Sequence, residues 1–400
     1  MVTFNKDKRI MNYELLFTEN KIADISGRYI TLNHFEPYLK NWDNGGQQQI
    51  IGFSVLGKPI YSFQIGHGAI RILLWSQMHG NETTTTKAIA DLLNLLHADS
   101  NSYASKHSKH TGQQLRDHFT FYIIPMLNPD GAELYTRENA ANIDLNRDAQ
   151  LLTQPDSRAL RNSYNDFKPD YCYNMHDQRT IYGAGSGFQA TVSFLAPAYN
   201  EALEMNSLRE RSINLIVEMN KVLQQYIPQQ VGRFDDSFNI NCVGDTFQFL
   251  NTPTILFEAG HFPNDYQREE TRKYIFIALL AGFKALGENV VVCNGIDDYL
   301  NIPQNKINFY DIVYKNVKIN YDGNEIITNF AVQFNERLSR DEILFEGYIA
   351  EVGNGQQYSG HLEYEAEGAA FFNGKHAPEL DQNANFQLGK IMFDNGKIRS

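Results

Sequence analysis

Two residue types that bind zinc stand three positions apart after an apolar run. The run Ile70–Ser76 predicts a strand, and His79 and Glu82 follow it in the sequence Met-His-Gly-Asn-Glu. Neutral imidazole and carboxylate are suitable zinc donors, and this spacing lets both reach one ion from a turn and the helix that it opens. A single His-x-x-Glu match also arises by chance, so other residues must show whether it marks a metal site.

A second polar group follows another apolar run, Phe119–Pro125, which also predicts a strand. Its members are Asn128-Pro129-Asp130-Gly131, Arg137-Glu138-Asn139 and Asp144-Leu145-Asn146-Arg147. Arginine suits bidentate recognition of a carboxylate or stabilisation of an oxyanion, and asparagine adds directional donors. The loop therefore has the composition of a binding site for negative charge.

His176 and Glu258 each end a further β-like run. The predicted strands are Asp170–Asn174, shortly before the histidine, and Thr254–Glu258. Ligands of an α/β sheet usually bind at the carboxyl ends of its strands. Because glutamate is rarely buried unless it is paired or functional, Glu258 is the best candidate for a general base.

The elements that position these residues alternate between strands and helices. Amphipathic periodicity predicts helices over Thr83–His97, Asn200–Gln225 and Asn264–Leu286, and Thr191–Leu195 is a further strand. This alternation predicts an α/β domain over residues 50–290. Residues 1–49 form an N-terminal extension with a helix near Asn33–Asn41.

The pattern of predicted secondary structure changes after about residue 295. Short β-type segments are separated by turn sequences such as Asp322-Gly323-Asn324 and Gly353-Asn354-Gly355. Frequent turns with little helical periodicity predict a smaller, all-β domain over residues 300–400. The role of this domain stays open.

Charge and composition exclude several kinds of partner. A net charge of −12 leaves no basic surface for nucleic acid or an anionic membrane. Three scattered cysteines build neither a disulfide framework nor a cysteine zinc site, which indicates buried thiols in a reducing compartment. Neither a signal peptide nor a membrane span is evident, so we expect a cytoplasmic protein. The oligomeric state is not indicated.

Together these residues resemble the zinc carboxypeptidase family, the carboxypeptidase A/B-like metallopeptidases, over about residues 50–285. The motifs are HxxE at His79, NPDG at Asn128, R-x-N at Arg137, DLNR ending at Arg147, and the later His176 and Glu258. The resemblance implies an α/β fold with a mixed sheet between helices. It also implies peptide-bond hydrolysis by a zinc-activated water.

The resemblance further implies a role for each site residue. His79, Glu82 and His176 would bind one Zn²⁺, and Glu258 would act as general base. Arg137 would stabilise the oxyanion, while Asn146 and Arg147 would hold a substrate carboxylate. Asp144 would orient His79 by accepting its second N–H.

The sequence departs from the family pattern in three places, one of which is Asp148-Ala149-Gln150 after Arg147, where the digestive enzymes have an aromatic-containing continuation. Classical members carry a mobile tyrosine before the general-base strand, whereas no tyrosine lies between Pro228 and Glu258, and Asp236, Phe238 or Asn239 could take its place. His176 is followed by the unusually charged Asp177-Gln178-Arg179. An aspartoacylase- or succinylglutamate desuccinylase-like deacylase of N-acyl amino acids is the alternative, because those proteins share HxxE, DLNR and a C-terminal β domain. An inactive binding protein is the third possibility.

Overall fold

The computed structural model describes residues 11–43, 48–101, 104–185, 187–353 and 358–399. The helices are α1 Tyr13–Asn20, α2 Leu32–Trp42, α3 Thr84–Leu96, α4 Lys106–His118, α5 Pro129–Leu134, α6 Pro155–Phe167, α7 Ser207–Leu223, α8 Val243–Phe249, α9 Glu269–Gly287 and α10 Ile296–Leu300, with 3₁₀ turns at Ala98–Ser100 and Leu145–Arg147. Within these ranges no helix has both the length and the apolar character to cross a bilayer.

The strands of the described residues fall into four sheets. They are β1 Gln48–Phe53, β2 Pro59–Gly66, β3 Ile70–Ser76, β4 Phe119–Ile124, β5 Tyr171–Asp177, β6 Tyr182–Ala184, β7 Val192–Leu195, β8 Val231–Arg233, β9 Thr254–Ala259, β10 Asn305–Ile307, β11 Phe309–Tyr321, β12 Asn324–Ser339, β13 Glu342–Val352, β14 Ser359–Glu365, β15 Phe371–Phe372, β16 Phe386–Leu388, β17 Ile391–Asp394 and β18 Lys397–Ile398. The predicted fold class, a mixed α/β sheet with helices and a smaller C-terminal β region, is confirmed.

The chain divides into two compact units. The first comprises Met1–Gln178 and Ala190–Gln304, and the second comprises Arg179–Gln189 and Asn305–Ser400. The predicted functional division, with an extension over residues 1–49, a catalytic domain over 50–290 and a β domain over 300–400, stays a prediction, because compactness does not show which segments the activity needs.

An eight-stranded mixed sheet forms the centre of the first unit. Its strand order is β1-β2-β4-β3-β5-β9-β7-β8. The four central strands β4, β3, β5 and β9 run parallel, while β1, β2 and β7 each pair antiparallel with a neighbour. The carboxyl ends of β3, β5 and β9 therefore lie side by side at one edge of the sheet, which is the usual location of a ligand site.

Two hydrophobic cores cover the opposite faces of this sheet. Alternate residues of a strand point to opposite faces, and β3 contributes Ile72 and Leu74 to one core but Leu73 and Trp75 to the other. Helices α1, α3, α7 and α9 contribute to the first core, and α6 and α8 contribute to the second. The helices thus hold the sheet rigid from both sides.

A buried ion pair joins the N-terminal segment to this core. Arg272 on α9 donates from Nε and Nη2 to Asp91 on α3 at 2.6 and 2.5 Å, and both side chains are fully buried. The same guanidinium donates to the backbone oxygens of Ile25 and Ile22. Residues 13–30 therefore pack as part of the first unit.

We expect Arg272→Met to lower the free energy of unfolding of the first unit by about 3–5 kcal/mol, because it leaves the Asp91 carboxylate buried without its cation. Differential scanning calorimetry measures this change. Lys221→Met is the matched control, because it removes an exposed pair with Glu218 and should barely shift the transition. Equal shifts in the two variants would contradict the assignment of Arg272 as a structural anchor.

The strands that the structure describes in the second unit form three small sheets. The sheet β13-β12-β11-β14 is antiparallel except for the β11–β14 pair, β15 to β18 form an antiparallel meander, and β6 pairs with β10. Gln333 Nε2 donates to Thr180 Oγ1 at 2.8 Å, and His361 Nε2 lies 2.8 Å from Thr180 O. The short excursion of residues 179–189 is thus a component of the β unit.

Candidate active site

A tight turn after β3 carries the first two site residues. Gln77 adopts a φ of 48°, and its side-chain amide donates to the carbonyl oxygens of Ile30 and Gly80, both at 2.9 Å. A Cβ added to Gly80 would lie 1.9 Å from the carbonyl carbon of Gly131, so only glycine fits. This close approach fixes the turn that presents His79.

The Asn-Pro-Asp-Gly motif supports the turn. Asn128 caps α5, since its Oδ1 accepts from Gly131 N at 2.8 Å, and its Nδ2 donates to Met78 O at 3.2 Å. Pro129 occupies the first helical turn, where its missing N–H costs nothing. The motif therefore acts through the backbone beside His79.

His79, Glu82 and His176 converge in a buried cluster. His79 Nδ1 lies 2.7 Å from Glu82 Oε1, and His176 Nδ1 lies 2.8 Å from Glu82 Oε2. The two Nδ1 atoms are 3.2 Å apart, and ligand atoms of all three residues lie within 4.8 Å of one another. Two imidazole nitrogens that face a shared carboxylate form a donor set suited to a divalent cation, and the fit to Zn²⁺ is good.

Charge and burial act in opposite directions on the pKa values of this cluster. Burial alone would raise the pKa of Glu82, but the two imidazoles hold it far below its ordinary value. Burial would lower the pKa of His79, but Glu82 and Asp144 raise it, whereas the pKa of His176 is lowered, mainly by burial. Glu82 is therefore an anion at neutral pH and ready to bind a cation.

Asp144 and Arg137 contact the cluster of His79, Glu82 and His176. Asp144 Oδ1 lies 3.0 Å from His79 Nε2, the nitrogen that points away from Glu82. Arg137 donates from Nε and Nη2 to Asp144 Oδ2 at 3.2 and 3.1 Å, and from Nη1 to Glu82 Oε1 at 3.2 Å. The Arg137 side chain keeps 41% of its surface exposed, although its Nε, Nη1 and Nη2 atoms all contact the two carboxylates.

We expect Asp144→Asn to weaken zinc binding about 10–100-fold, because a neutral amide oxygen accepts the His79 Nε2–H more weakly than a carboxylate and so stabilises less the tautomer that leaves Nδ1 free for a metal. A competition titration with a coloured chelator measures the affinity. Asp148→Asn is the control, because Asp148 binds Thr153 and Gln154 and has no contact with a histidine. Unchanged zinc affinity in Asp144→Asn would show that this carboxylate does not orient His79.

Glu258 lies directly beside His176. The two residues are partners in the parallel pairing of β5 and β9, and Glu258 is 9% exposed. Burial, followed by the charges of Glu82 and Asp177, raises the pKa of Glu258 well above its ordinary value, while Arg137 and Arg268 oppose this rise. A bound cation would add to that opposition and favour the carboxylate form.

Asn146 and Arg147 lie in the 3₁₀ turn after Asp144. Asn146 Oδ1 accepts from Val243 N at 3.0 Å, which leaves its amide N–H groups for another acceptor. Arg147 is exposed, and its Nη1 donates to Asn146 O and Cys242 Sγ, both at 3.1 Å. Both side chains are thus held by the start of α8.

Residues proposed in place of the missing tyrosine have other contacts. Asp236 accepts from the buried Arg209 at 2.6 Å, and Asn239 Oδ1 accepts from Asn241 N at 3.0 Å. Phe238 is half-buried.

Cys293 is exposed and Cys242 is half-buried, so the prediction of buried thiols is right only for Cys172.

Two further residues at the site were not identified from the sequence. Asp177 accepts from Thr84 N and Thr85 N, and the buried Arg268 donates to the backbone oxygens of Gln178, Ala259 and Gly260. The unusual charge after His176 was the only signal for Asp177. Arg268 gave none, because its position at the strand ends depends on the fold.

The mixed sheet and the buried His-Glu-His cluster together form an α/β fold with a candidate site for a divalent cation. Residues 47–204 match the model of the zinc carboxypeptidase family. This match covers less than half of the chain, and it agrees with the resemblance that the motifs indicate.

The relatives that match share only part of their length with the chain. Carboxypeptidase 2 of Trichophyton rubrum is 28% identical over 129 residues, which are 32% of this chain and 22% of that protein. Gamma-D-glutamyl-L-diamino acid endopeptidase 1 of Lysinibacillus sphaericus is 35% identical over 131 residues, 33% of this chain and 29% of that protein. The chain therefore spans less than a third of either relative.

Solved structures resemble the chain in fold. A metallo-carboxypeptidase from Burkholderia cenocepacia superposes with a TM-score of 0.51 at 16% identity, covering 64% of this chain and 69% of that one. A carboxypeptidase A-like protein from Shewanella denitrificans gives a TM-score of 0.51 at 17% identity, with 64% and 69% covered. At this identity the likeness shows the fold alone.

Proposed function

We propose that the chain hydrolyses an amide bond at the end of a peptide, as a zinc metallocarboxypeptidase. The observation that carries this proposal is the buried convergence of His79, Glu82 and His176 next to Glu258, at the carboxyl ends of three adjacent strands. Bound Zn²⁺ supplies a Lewis acid that acidifies a water and polarises a carbonyl. Residues of the chain carry out the remaining steps, which are proton transfer, stabilisation of the oxyanion and binding of the substrate.

Glu258 is the general base and then the general acid. Its carboxylate takes the proton of the attacking water and passes it to the leaving nitrogen, so that the water oxygen forms a bond to the carbonyl carbon as the C–N bond breaks. Arg137 donates to the carbonyl oxygen, which becomes negative in the transition state. The exposed part of the Arg137 side chain supports this role.

Asn146 and Arg147 bind the terminal carboxylate of the substrate. A guanidinium and an amide on one turn match the two oxygens of a carboxylate. The contacts with Val243 and Cys242 hold both side chains in place before a substrate arrives. With Asp236 paired to Arg209 and the Asn239 side chain bonded to the backbone of Asn241, Phe238 is the remaining candidate to cover the substrate in place of the family's tyrosine.

We expect Arg147→Met to raise KM for a peptide with a free C-terminus about 10–100-fold, because one charge-assisted contact with the carboxylate is lost. Steady-state kinetics with matched free and C-terminally amidated peptides measures the effect. Arg158→Met, on the exposed start of α6, is the control. A KM that rises equally for both peptides would contradict the proposed carboxylate contact.

A deacylase of N-acyl amino acids is the second candidate, favoured by the additional C-terminal β unit. The decisive assay offers zinc-loaded protein three substrate groups: peptides with free C-termini, N-acetyl and N-succinyl amino acids, and a peptide with a γ-D-glutamyl bond. The last contains the type of bond that the name of the Lysinibacillus relative specifies. Hydrolysis of free-terminus peptides supports the proposal, whereas hydrolysis of acylated amino acids alone would replace it with the deacylase.

A further inference from the structure

Asp177 is the last residue of β5, the strand that carries His176. Its side chain connects β5 to helix α3, which begins shortly after Glu82. Its Oδ2 accepts from Thr84 N at 2.8 Å and its Oδ1 accepts from Thr85 N at 3.2 Å. Its own backbone N–H donates to Glu82 Oε2 at 3.1 Å. One residue therefore contacts Glu82 and the first turn of α3 together.

Helix α3 has no side-chain cap of its own. Thr83 stands at the N-cap position but makes no cap hydrogen bond, and its hydroxyl donates to Arg28 O at 2.9 Å. The first N–H groups of a helix need external acceptors. The Asp177 carboxylate supplies two of them from another strand, and its charge also interacts favourably with the positive end of the helix.

The Asp177 end of β5 is itself firmly held. Gln178 N donates to Ala259 O at 2.9 Å, and the buried Arg268 donates to Gln178 O at 2.9 Å. The cap on α3 thus rests on a fixed strand end rather than on a mobile loop. Any movement of the start of α3 away from β5 would break both cap bonds.

We propose that Asp177 is a positioning residue for the metal site: it fixes the start of α3 against β5 and so keeps Glu82 directed towards His79 and His176. The inference rests on the proposed function only in taking zinc as the ion. It assigns a role to the charged residue after His176, a position where the sequence departs from its family.

The test is a direct zinc titration of the purified full-length chain, with a coloured chelator as competitor. We expect Asp177→Ala to weaken zinc binding about 10–100-fold, the range seen when a residue that orients a metal ligand is lost. Asp177→Asn keeps one acceptor oxygen but turns an amide N–H towards a helix N–H, so its loss should be smaller. This milder variant preserves the test if the alanine variant does not fold.

Asp265 provides a matched control. Its carboxylate caps α9 by accepting from the backbone N–H groups of Glu269, Glu270 and Thr271 at 2.8, 2.8 and 3.0 Å. Asp265→Ala should lower thermal stability and leave the zinc affinity unchanged. Wild-type zinc affinity in both Asp177 variants, or an equal loss in Asp265→Ala, would overturn the inference. No zinc binding by the wild-type chain would instead overturn the proposed function.

Discussion

Glu258→Gln should bind zinc as tightly as the wild-type chain and lose about 10³-fold in kcat, the size of a general acid–base contribution. Glutamine has the same shape, but it cannot take a proton from water. Zinc is retained because the converging ligand set consists of His79, Glu82 and His176, without Glu258. Elemental analysis of the purified variant and steady-state kinetics on the best peptide substrate measure the two properties separately.

Asp156→Asn is the matched control for this variant. Asp156 is also buried, and its pKa is raised to about 6, chiefly by burial, but it contacts Asn139 and lies outside the metal cluster. The same change of carboxylate to amide should leave kcat at the wild-type level there. An unchanged kcat in Glu258→Gln would refute the general base, and loss of zinc would make Glu258 a ligand.

His176→Ala should lose both zinc and activity. It removes one of three ligands, and the effect should exceed the roughly 10–100-fold loss that follows removal of a residue that only orients a ligand. Since bound metal stabilises the folded state, zinc should no longer raise the melting temperature of this variant. Calorimetry with and without zinc measures that shift.

His97→Ala controls for the loss of a buried imidazole. His97 lies at the end of α3, and its Nδ1 is 2.7 Å from Leu93 O. This variant should lose stability but keep the increase in melting temperature that zinc produces. If His176→Ala still responds to zinc like the wild-type chain, the ion binds elsewhere.

Much of the fold follows from local patterns. The apolar run Ile70–Ser76 forms β3 as predicted, and Thr83–His97 matches α3 to within a residue at each end. Two helices begin later than predicted. Asn206 caps α7 by accepting from Arg209 N, and Arg268 adopts a left-handed φ of 60° just before α9. Periodicity does not reveal where a cap interrupts an otherwise suitable sequence.

Other features of the fold depend on contacts between distant segments, and local sequence patterns do not predict them. The N-terminal segment gave no chemical signal, yet its Ile30 carbonyl accepts a hydrogen bond from the side chain of Gln77, in the turn that carries His79. Residues 179–189 belong to the β unit although they lie between two strands of the first unit. Neither follows from composition or periodicity, because each depends on pairing between segments far apart in the sequence.

The candidate site likewise contains residues that the sequence indicated and residues that it did not. Residue chemistry and the order of motifs indicated His79, Glu82, His176 and Glu258, because metal ligands and a base must belong to a few residue types. Asp177 and Arg268 act through backbone groups, and many residue types can do that. Their importance becomes visible only when the ends of β5 and β9 are seen side by side.

The central claim, zinc-dependent amide hydrolysis at this cluster, is tested most directly by titrating zinc into metal-free protein while following cleavage of a peptide with a free C-terminus. We expect a rate that rises in proportion to bound zinc and stops rising at a single ion per chain. Full activity of protein shown by elemental analysis to contain no metal would contradict it.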